Sequence, residues 1–161
     1  LGPLSKGLAD PGHTQGVRFA VGGSGFYNMG NTIETWGASA YAHLKVKGVH
    51  LFAEFAQDHA EPQDKPTTTG TMSIEATRRV FNASLGYVFL KNMLGLSARA
   101  EWIDADIDQD NGDDQWLVGG TLTWYALGDY LKFQVEYMHR AELHGKSVDN
   151  DWAIFGTQLH F

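Results

Sequence analysis

Hydrophobic and polar residues alternate with a period of two along most of the chain. Between residues 35 and 46, Trp36, Leu44 and Val46 share one side with several alanines, while Tyr41 and Lys45 lie on the other. A period of two is typical of a β-strand whose two faces meet different surroundings. The pattern predicts an all-β chain with strands at 17–27, 35–46, 49–58, 77–90, 93–103, 115–127, 130–140 and 151–161.

The connections between these strands are alternately long and short. Short turns are predicted at Lys47-Gly48, Lys91-Asn92 and Gly128-Asp129, and the remaining connections are long and polar. An antiparallel up-and-down arrangement collects all the short turns at one end and all the long loops at the other, as in outer-membrane β-barrels. The strands, at about ten to thirteen residues, also exceed the 5–6 typical of soluble proteins. Residues 1–16, which have no period, are predicted to be an irregular lead-in or linker.

The composition permits a membrane β-barrel and excludes several other classes of protein. Apolar runs fall short of the roughly 18 residues that a membrane-spanning helix needs, although 43% of the chain is hydrophobic and the mean hydropathy is -0.28. The absence of cysteine excludes disulfides and thiolate sites. The net charge of -7, without a cluster of Lys or Arg, disfavours a nucleic-acid partner. The chain opens without a signal peptide, so we expect a mature protein or a piece of a longer one.

Aromatic residues gather near the ends of the predicted strands, on the apolar side. Tryptophan and tyrosine favour the headgroup level of a bilayer, because the ring is apolar and its N–H or O–H stays hydrated. The pattern predicts one girdle near the long loops, made of Trp36, Phe55, Phe81, Trp102, Trp116 and Tyr137. A second girdle near the short turns would contain Tyr87, Phe89, Trp124 and Phe161.

The last strand, DWAIFGTQLHF, ends on an aromatic residue. With Phe155, Leu159 and Phe161 at alternate positions, it resembles the C-terminal signal of bacterial outer-membrane β-barrels. The resemblance implies recognition by the barrel-assembly machinery and a C-terminus on the periplasmic side, with the long loops extracellular.

The segments GGTLTWYALGDYLKFQVEYMHR and DNDWAIFGTQLHF resemble the final hairpin and closing strand of bacterial porins, particularly the phosphate-selective porin O/P family. LGYVFLKNMLGLSARAEW repeats the hairpin pattern. The resemblance covers residues 77–161 and implies an outer-membrane location, contact with lipid and lipopolysaccharide, and a homotrimer. Such porins have about 16 strands, which implies that this chain is the C-terminal half of one. A complete eight-stranded barrel stays open as the alternative.

Charged residues recur on the other side of the predicted strands. They are the candidate pore-lining residues Arg18, His43, Lys45, His50, Glu54, Arg78, Arg99, Glu101, Lys132 and Glu136. In a wide barrel, fixed charges along the lumen tune which ions pass, and the cations among them suggest an anion bias. In a narrow barrel they must pair with one another, because an unpaired buried charge is costly.

The sequence offers little for metal or catalytic chemistry. Asp104, Asp106, Asp108 and Asp110 have the spacing of a Ca²⁺ loop. However, Asn111 stands where such a loop has Gly, and Leu117 where it has Glu, which favours a solvated loop. Neither G-x-S-x-G nor H-E-x-x-H occurs near His59, His139, His144 or Ser147, so we predict neither an enzyme nor a cofactor.

These observations predict a passive outer-membrane channel for small hydrophilic solutes or ions. The main alternative is a structural or adhesive barrel that does not conduct. A soluble ligand-binding barrel of lipocalin type also fits the length, because alternation alone does not say which face is inside. Lipocalins usually carry a C-terminal helix and disulfides, which this sequence lacks.

Overall fold

The computed structural model describes residues 9–13, 15–30, 33–62, 75–90, 93–108, 114–144 and 150–159. Within these ranges the chain is all-β and contains no helix. The strands are β1 (Val17–Met29), β2 (Ile33–Val46), β3 (Val49–Pro62), β4 (Ala76–Phe89), β5 (Leu94–Asp104), β6 (Gln115–Asp129), β7 (Leu131–Glu142) and β8 (Trp152–Leu159). A search of the described residues for a helix of sufficient length and apolarity to cross a membrane found none.

The eight strands form one antiparallel sheet in the order β1 to β8, so each strand pairs with its neighbours in sequence. This confirms the predicted fold class as far as an up-and-down antiparallel sheet. The sheet is open, because β1 and β8 are its two edges and do not pair with each other over the described residues. Each strand packs against its sequence neighbours.

The short turns follow from backbone geometry that few residues adopt. Lys47 and Gly48 both have positive φ, 48° and 89°, as a two-residue hairpin turn matched to the strand twist requires. Gly128, with φ of 59°, lies in the turn closed by the Tyr130 N–H on the Leu127 carbonyl at 3.2 Å. Both predicted turns are confirmed. The third prediction, Lys91-Asn92, lies outside the described residues.

The strands next to the first two long loops extend further than predicted. β1 continues to Met29 and β2 begins at Ile33, although residues 28–34 were expected to be a loop. β3 likewise reaches Pro62, inside the segment predicted to be a loop from residue 59 onward. The extensions are paired in register, and the Tyr27 hydroxyl donates to Glu34 Oε1 at 2.6 Å. Backbone pairing therefore carries these strands past the end of the apolar pattern.

The register divides the side chains between two unlike faces. We call the face that bears His50, Thr121 and Glu136 the concave face, and the face that bears Leu85 and Leu122 the convex face. Among the described residues, the buried strand residues all lie on the concave face and are Gly37, Lys45, His50, Gly86, Val88, Gly95, Leu117, Thr123, Tyr125 and Met138. A cavity lined by residues of β3 through β7 opens on the same face, which indicates that the sheet curves around it.

Glycine makes room for large side chains on the crowded concave face. A Cβ atom at Gly119 would overlap the Tyr137 carbonyl oxygen and the Met138 sulfur on the neighbouring strand. Met138 is 2% exposed, and the Tyr137 carbonyl is part of the backbone pairing between β6 and β7. Gly156 lies on the same face of β8, yet a Cβ there would meet no described atom within 4 Å.

The contrast between Gly119 and Gly156 predicts that the same glycine-to-alanine substitution has different effects at the two positions. Gly119→Ala should lower the free energy of unfolding by about 1–3 kcal/mol, the usual cost of overpacking. Gly156→Ala should stay within about 0.5 kcal/mol of the parent protein. Urea unfolding in detergent micelles, followed by tryptophan fluorescence, measures both values. Equal effects of the two substitutions would contradict the crowding at Gly119.

Candidate functional site

The concave face carries every charged residue that the sequence predicted to line a pore. The cross-strand register puts Arg18, His43, Lys45, His50, Glu54, Arg78, Arg99, Glu101, Lys132 and Glu136 on this one face. They extend from β1 to β7 and from the turn end to the loop end of the sheet. The face is therefore polar along its whole length.

Several of these charges are neutralised by near neighbours. The guanidinium of Arg78 donates to Asp58, which lies directly opposite on β3, and that of Arg99 donates to Glu101 on its own strand. The Thr121 hydroxyl lies 3.4 Å from Glu136 Oε2 and donates to it. Cationic and anionic residues are interspersed on the face, which makes its net charge small and agrees with pairing among the candidate residues.

The lead-in closes the turn end of the concave face. Asp10, 4% exposed, accepts a hydrogen bond from the Gly48 N–H at 2.9 Å. The His13 Nε2 atom lies 2.7 Å from the Val88 carbonyl oxygen, so it donates its proton there. These contacts fasten Ala9–His13 across the β2–β3 and β4–β5 turns. Sequence reasoning missed this role, because the segment has no period and the partner atoms belong to the backbone.

Lys45 and His50 are buried beside this segment. They lie opposite each other on β2 and β3 and are 5% and 6% exposed. Asp10, Lys45 and His43 all act electrostatically on the His50 ring. The carboxylate of Asp10 therefore adds negative charge beside Lys45 and His50, which favours the observed position of residues 9–13.

The convex face bears the aromatic residues predicted to form the first girdle. Phe55, Phe81, Trp102 and Trp116 stand directly opposite one another across β3 to β6 and form one row. Trp36 lies beyond this row toward the loop end, because Ala40 is the residue opposite Phe55. Tyr137 lies nearer the turn end, because Ala141 is opposite Trp116. The girdle therefore steps obliquely across the strands.

A second group of rings lies on the convex face near the turns. It contains the predicted residues Tyr87, Phe89 and Trp124, whereas Phe161 lies outside the described residues. Trp124 stacks on Phe133 at 5.4 Å, and Phe133 stacks on Phe155 at 6.4 Å between ring centroids. Phe133 was not predicted for this girdle, and only the register reveals its place in it. Phe155 and Leu159 of the predicted C-terminal signal are exposed here.

The acidic loop forms local hydrogen bonds. Asp106 Oδ1 accepts from the Asp108 N–H at 3.2 Å, and Asp114 Oδ1 accepts from the Ala105 N–H at 3.1 Å. Asp110, the last of the weak Ca²⁺ candidates, lies outside the described residues. Over the part of the chain that the structure describes, no group of three acidic or histidine side chains is arranged to hold a metal ion.

The histidines at the loop end each contact a polar partner. His59 Nδ1 lies 2.8 Å from the Thr77 hydroxyl, and His144 Nε2 lies 3.7 Å from Asp114. His139 Nδ1 lies 2.7 Å from Asp151, which also accepts a hydrogen bond from the Tyr137 hydroxyl. These contacts join neighbouring strands and loops at their outer ends.

Comparison of the chain with protein-family models, with curated proteins and with solved structures found no match. The concave and convex faces of the sheet are therefore the features that bear on function.

Asp151 lies just before β8 and contacts Tyr137 and His139 of β7. We expect this contact between the last two strands to depend on pH. The hydrogen bonds from Tyr137 and His139 hold the pKa of its carboxyl below the ordinary value. The stabilisation is present above the unfolded-state pKa of about 4 and is lost as the pH falls through the lowered folded-state pKa. Unfolding of the parent protein should therefore depend more steeply on acid pH than that of Asp151→Asn.

Tyr137→Phe serves as the control, because it removes the first of the two hydrogen bonds and leaves the carboxylate. Its pH dependence should lie between those of the parent protein and Asp151→Asn. Urea titrations from neutral to acid pH measure all three, and parallel curves would show that this contact does not contribute.

Proposed function

We propose that this protein is an outer-membrane β-barrel channel through which small hydrophilic solutes diffuse passively. The observation that carries the proposal is the sidedness of the sheet. The concave face carries the charged residues predicted to line a pore together with a few buried apolar ones, and most of the exposed large apolar side chains lie on the convex face. Leu85, Leu122 and Val135 are 55%, 47% and 50% exposed on the convex face.

This sidedness is the reverse of that expected for a water-soluble barrel. A lipocalin-type protein encloses its apolar side chains and exposes its polar ones, because apolar surface is driven out of water. Contiguous apolar patches beyond a few hundred Å² are rare on soluble monomers, yet the exposed apolar side chains here extend from Val17 on β1 to Leu159 on β8. A lipid environment accounts for them.

The spacing of the aromatic rows fits a bilayer. Trp116 and Trp124 lie on the same face of β6, in rows near its two ends. At about 3.4 Å per residue, they are about 27 Å apart along the strand. A strand tilt of 35–45° reduces this to about 20 Å across the membrane, close to the roughly 25 Å apolar band of such barrels. The oblique course of the first girdle is also expected when strands are tilted.

Closure of the barrel is part of the proposal. Unpaired edge strands leave backbone N–H and C=O groups without partners in lipid, so β1 and β8 must be paired in the membrane. Because eight strands here form an open arc, we propose that they belong to a wider barrel of about 16 strands. This agrees with the resemblance to porins. The short turns and the end of β8 would then face the periplasm, and the long loops the outside.

The charged residues of the concave face suggest which kind of solute passes through the channel. The pairs Arg78–Asp58 and Arg99–Glu101 leave little net field along the concave face. Strong selection by charge requires rings of one sign. We therefore propose a channel with weak charge selectivity, in place of the anion bias suggested by the cations alone.

Planar-bilayer recordings with the full-length protein test the function. We expect discrete conductance steps with the parent protein. Leu85→Arg puts a charge on the convex face midway between the aromatic rows, at a cost of about 2–4 kcal/mol in lipid, and should abolish insertion. Thr121→Arg, the matched substitution on the concave face beside Glu136, should insert and conduct less.

Two results would contradict the proposal. Insertion without any conductance step would indicate a structural barrel that does not conduct. Insertion that survives Leu85→Arg but fails with Thr121→Arg would show that the concave face contacts lipid.

A further inference from the structure

The concave face contains a cavity of about 400 Å³ near the turn end. This volume falls within the range of small-molecule sites. Ala9 and Pro11 of the lead-in close one side of it. Its hydroxyl and amide lining consists of Asn82, Ser84, Ser97, Thr121, Thr123 and Gln134.

Three polar atoms in this lining lack hydrogen-bond partners. Among the described residues, His50 Nδ1, Asn82 Oδ1 and Ser84 Oγ are buried without a partner. An unsatisfied buried polar atom costs stability, and each such atom in a native protein calls for an explanation. All three atoms belong to residues that line the cavity. A bound solute with its own hydroxyl groups would supply the missing partners.

Charged residues of both signs lie around the cavity. Arg99 is paired with Glu101, and Lys132 shares its strand and face with Glu136. Thr121 donates to Glu136, and the Gln134 amide donates to the Thr123 hydroxyl at 3.2 Å. The remaining hydrogen-bonding groups are neutral donors and acceptors. This chemistry suits an uncharged polar solute better than an anion, which needs unopposed cations.

Aromatic rings complete the lining. Phe52 lies next to His50 and Ser84 in the cavity wall, with its ring stacked on Tyr41 at 6.3 Å between centroids. The ring face carries partial negative charge, and the C–H groups on the apolar face of a sugar ring pack well against such a surface. Hydroxyls, planar amides and aromatic rings, which include Tyr87 and Tyr125 beside Phe52, together match a sugar.

We propose that this cavity is a binding site for an uncharged polyhydroxylated solute of monosaccharide to disaccharide size. The proposal rests on the proposed function, because the site would lie within the channel lumen. It gives the channel a substrate class, since a weak site for sugars in the lumen would favour their passage over that of other neutral solutes.

Sugar block of single-channel current tests the site. Glucose or maltose added to the full-length protein in a bilayer should interrupt the current, with an effect that saturates as sugar is raised. Asn82→Leu should weaken this binding about fivefold to tenfold, as expected for a lost hydrogen bond. Asn28→Leu is the matched control, because Asn28 lies at the loop end of the concave face, outside the cavity.

A second pair of variants covers the case in which Asn82→Leu fails to fold. Ser84→Ala removes an unpartnered hydroxyl and should fold normally while weakening sugar block. Ser39→Ala, on the same face of β2, should not. Polyethylene glycol of similar size should reduce the current without saturating.

Binding is also measurable without conduction, by saturation-transfer NMR of glucose with the protein in detergent micelles. If the bilayer shows no current steps, the channel proposal fails, and the NMR experiment alone decides the sugar site. Three results overturn the site: no saturable sugar effect in either experiment, saturable block by inorganic phosphate in place of sugar, or equal weakening by Asn28→Leu and Asn82→Leu.

Discussion

The strict alternation of side chains across a paired sheet is the constraint on which the rest of this structure depends. Because opposed residues share a face, the registers of the seven strand pairs together assign every strand residue to one of two faces. Leu85 and Leu122 are thereby committed to the same surface, and His50 and Glu136 to the other. A shift of one residue in β4 would move Leu85 to the concave face.

The two faces differ in packing as well as in polarity. The concave face is crowded, so that glycines such as Gly119 stand beside large side chains and even Lys45 is buried. The convex face packs against nothing within the described chain and keeps its aromatic rings in stacks such as Trp124, Phe133 and Phe155. The exposure of tryptophan on the convex face and the burial of lysine on the concave face are the sidedness on which the proposed channel depends.

The sequence predicted the parts of the fold that depend on local pattern. Alternation located all eight strands, and the dipeptides Lys47-Gly48 and Gly128-Asp129 marked their turns, because positive φ restricts the choice of residue. The ends at Met29 and Pro62 were missed, because cross-strand pairing continues there without an apolar pattern. The fastening of Asp10 to Gly48 was also missed, since a carboxylate binding a distant backbone N–H leaves no periodic signal.

The sidedness is tested most directly by a nitroxide scan of β4 in lipid vesicles. The chain has no cysteine, so single cysteines introduced along Ala76–Phe89 can be labelled one at a time. Collision rates with oxygen, which concentrates in lipid, and with a water-soluble nickel complex report the surroundings of each label. We expect oxygen maxima at Phe81, Ala83, Leu85 and Tyr87 and nickel maxima at the residues between them. The opposite phase, or the loss of alternation, would contradict the account.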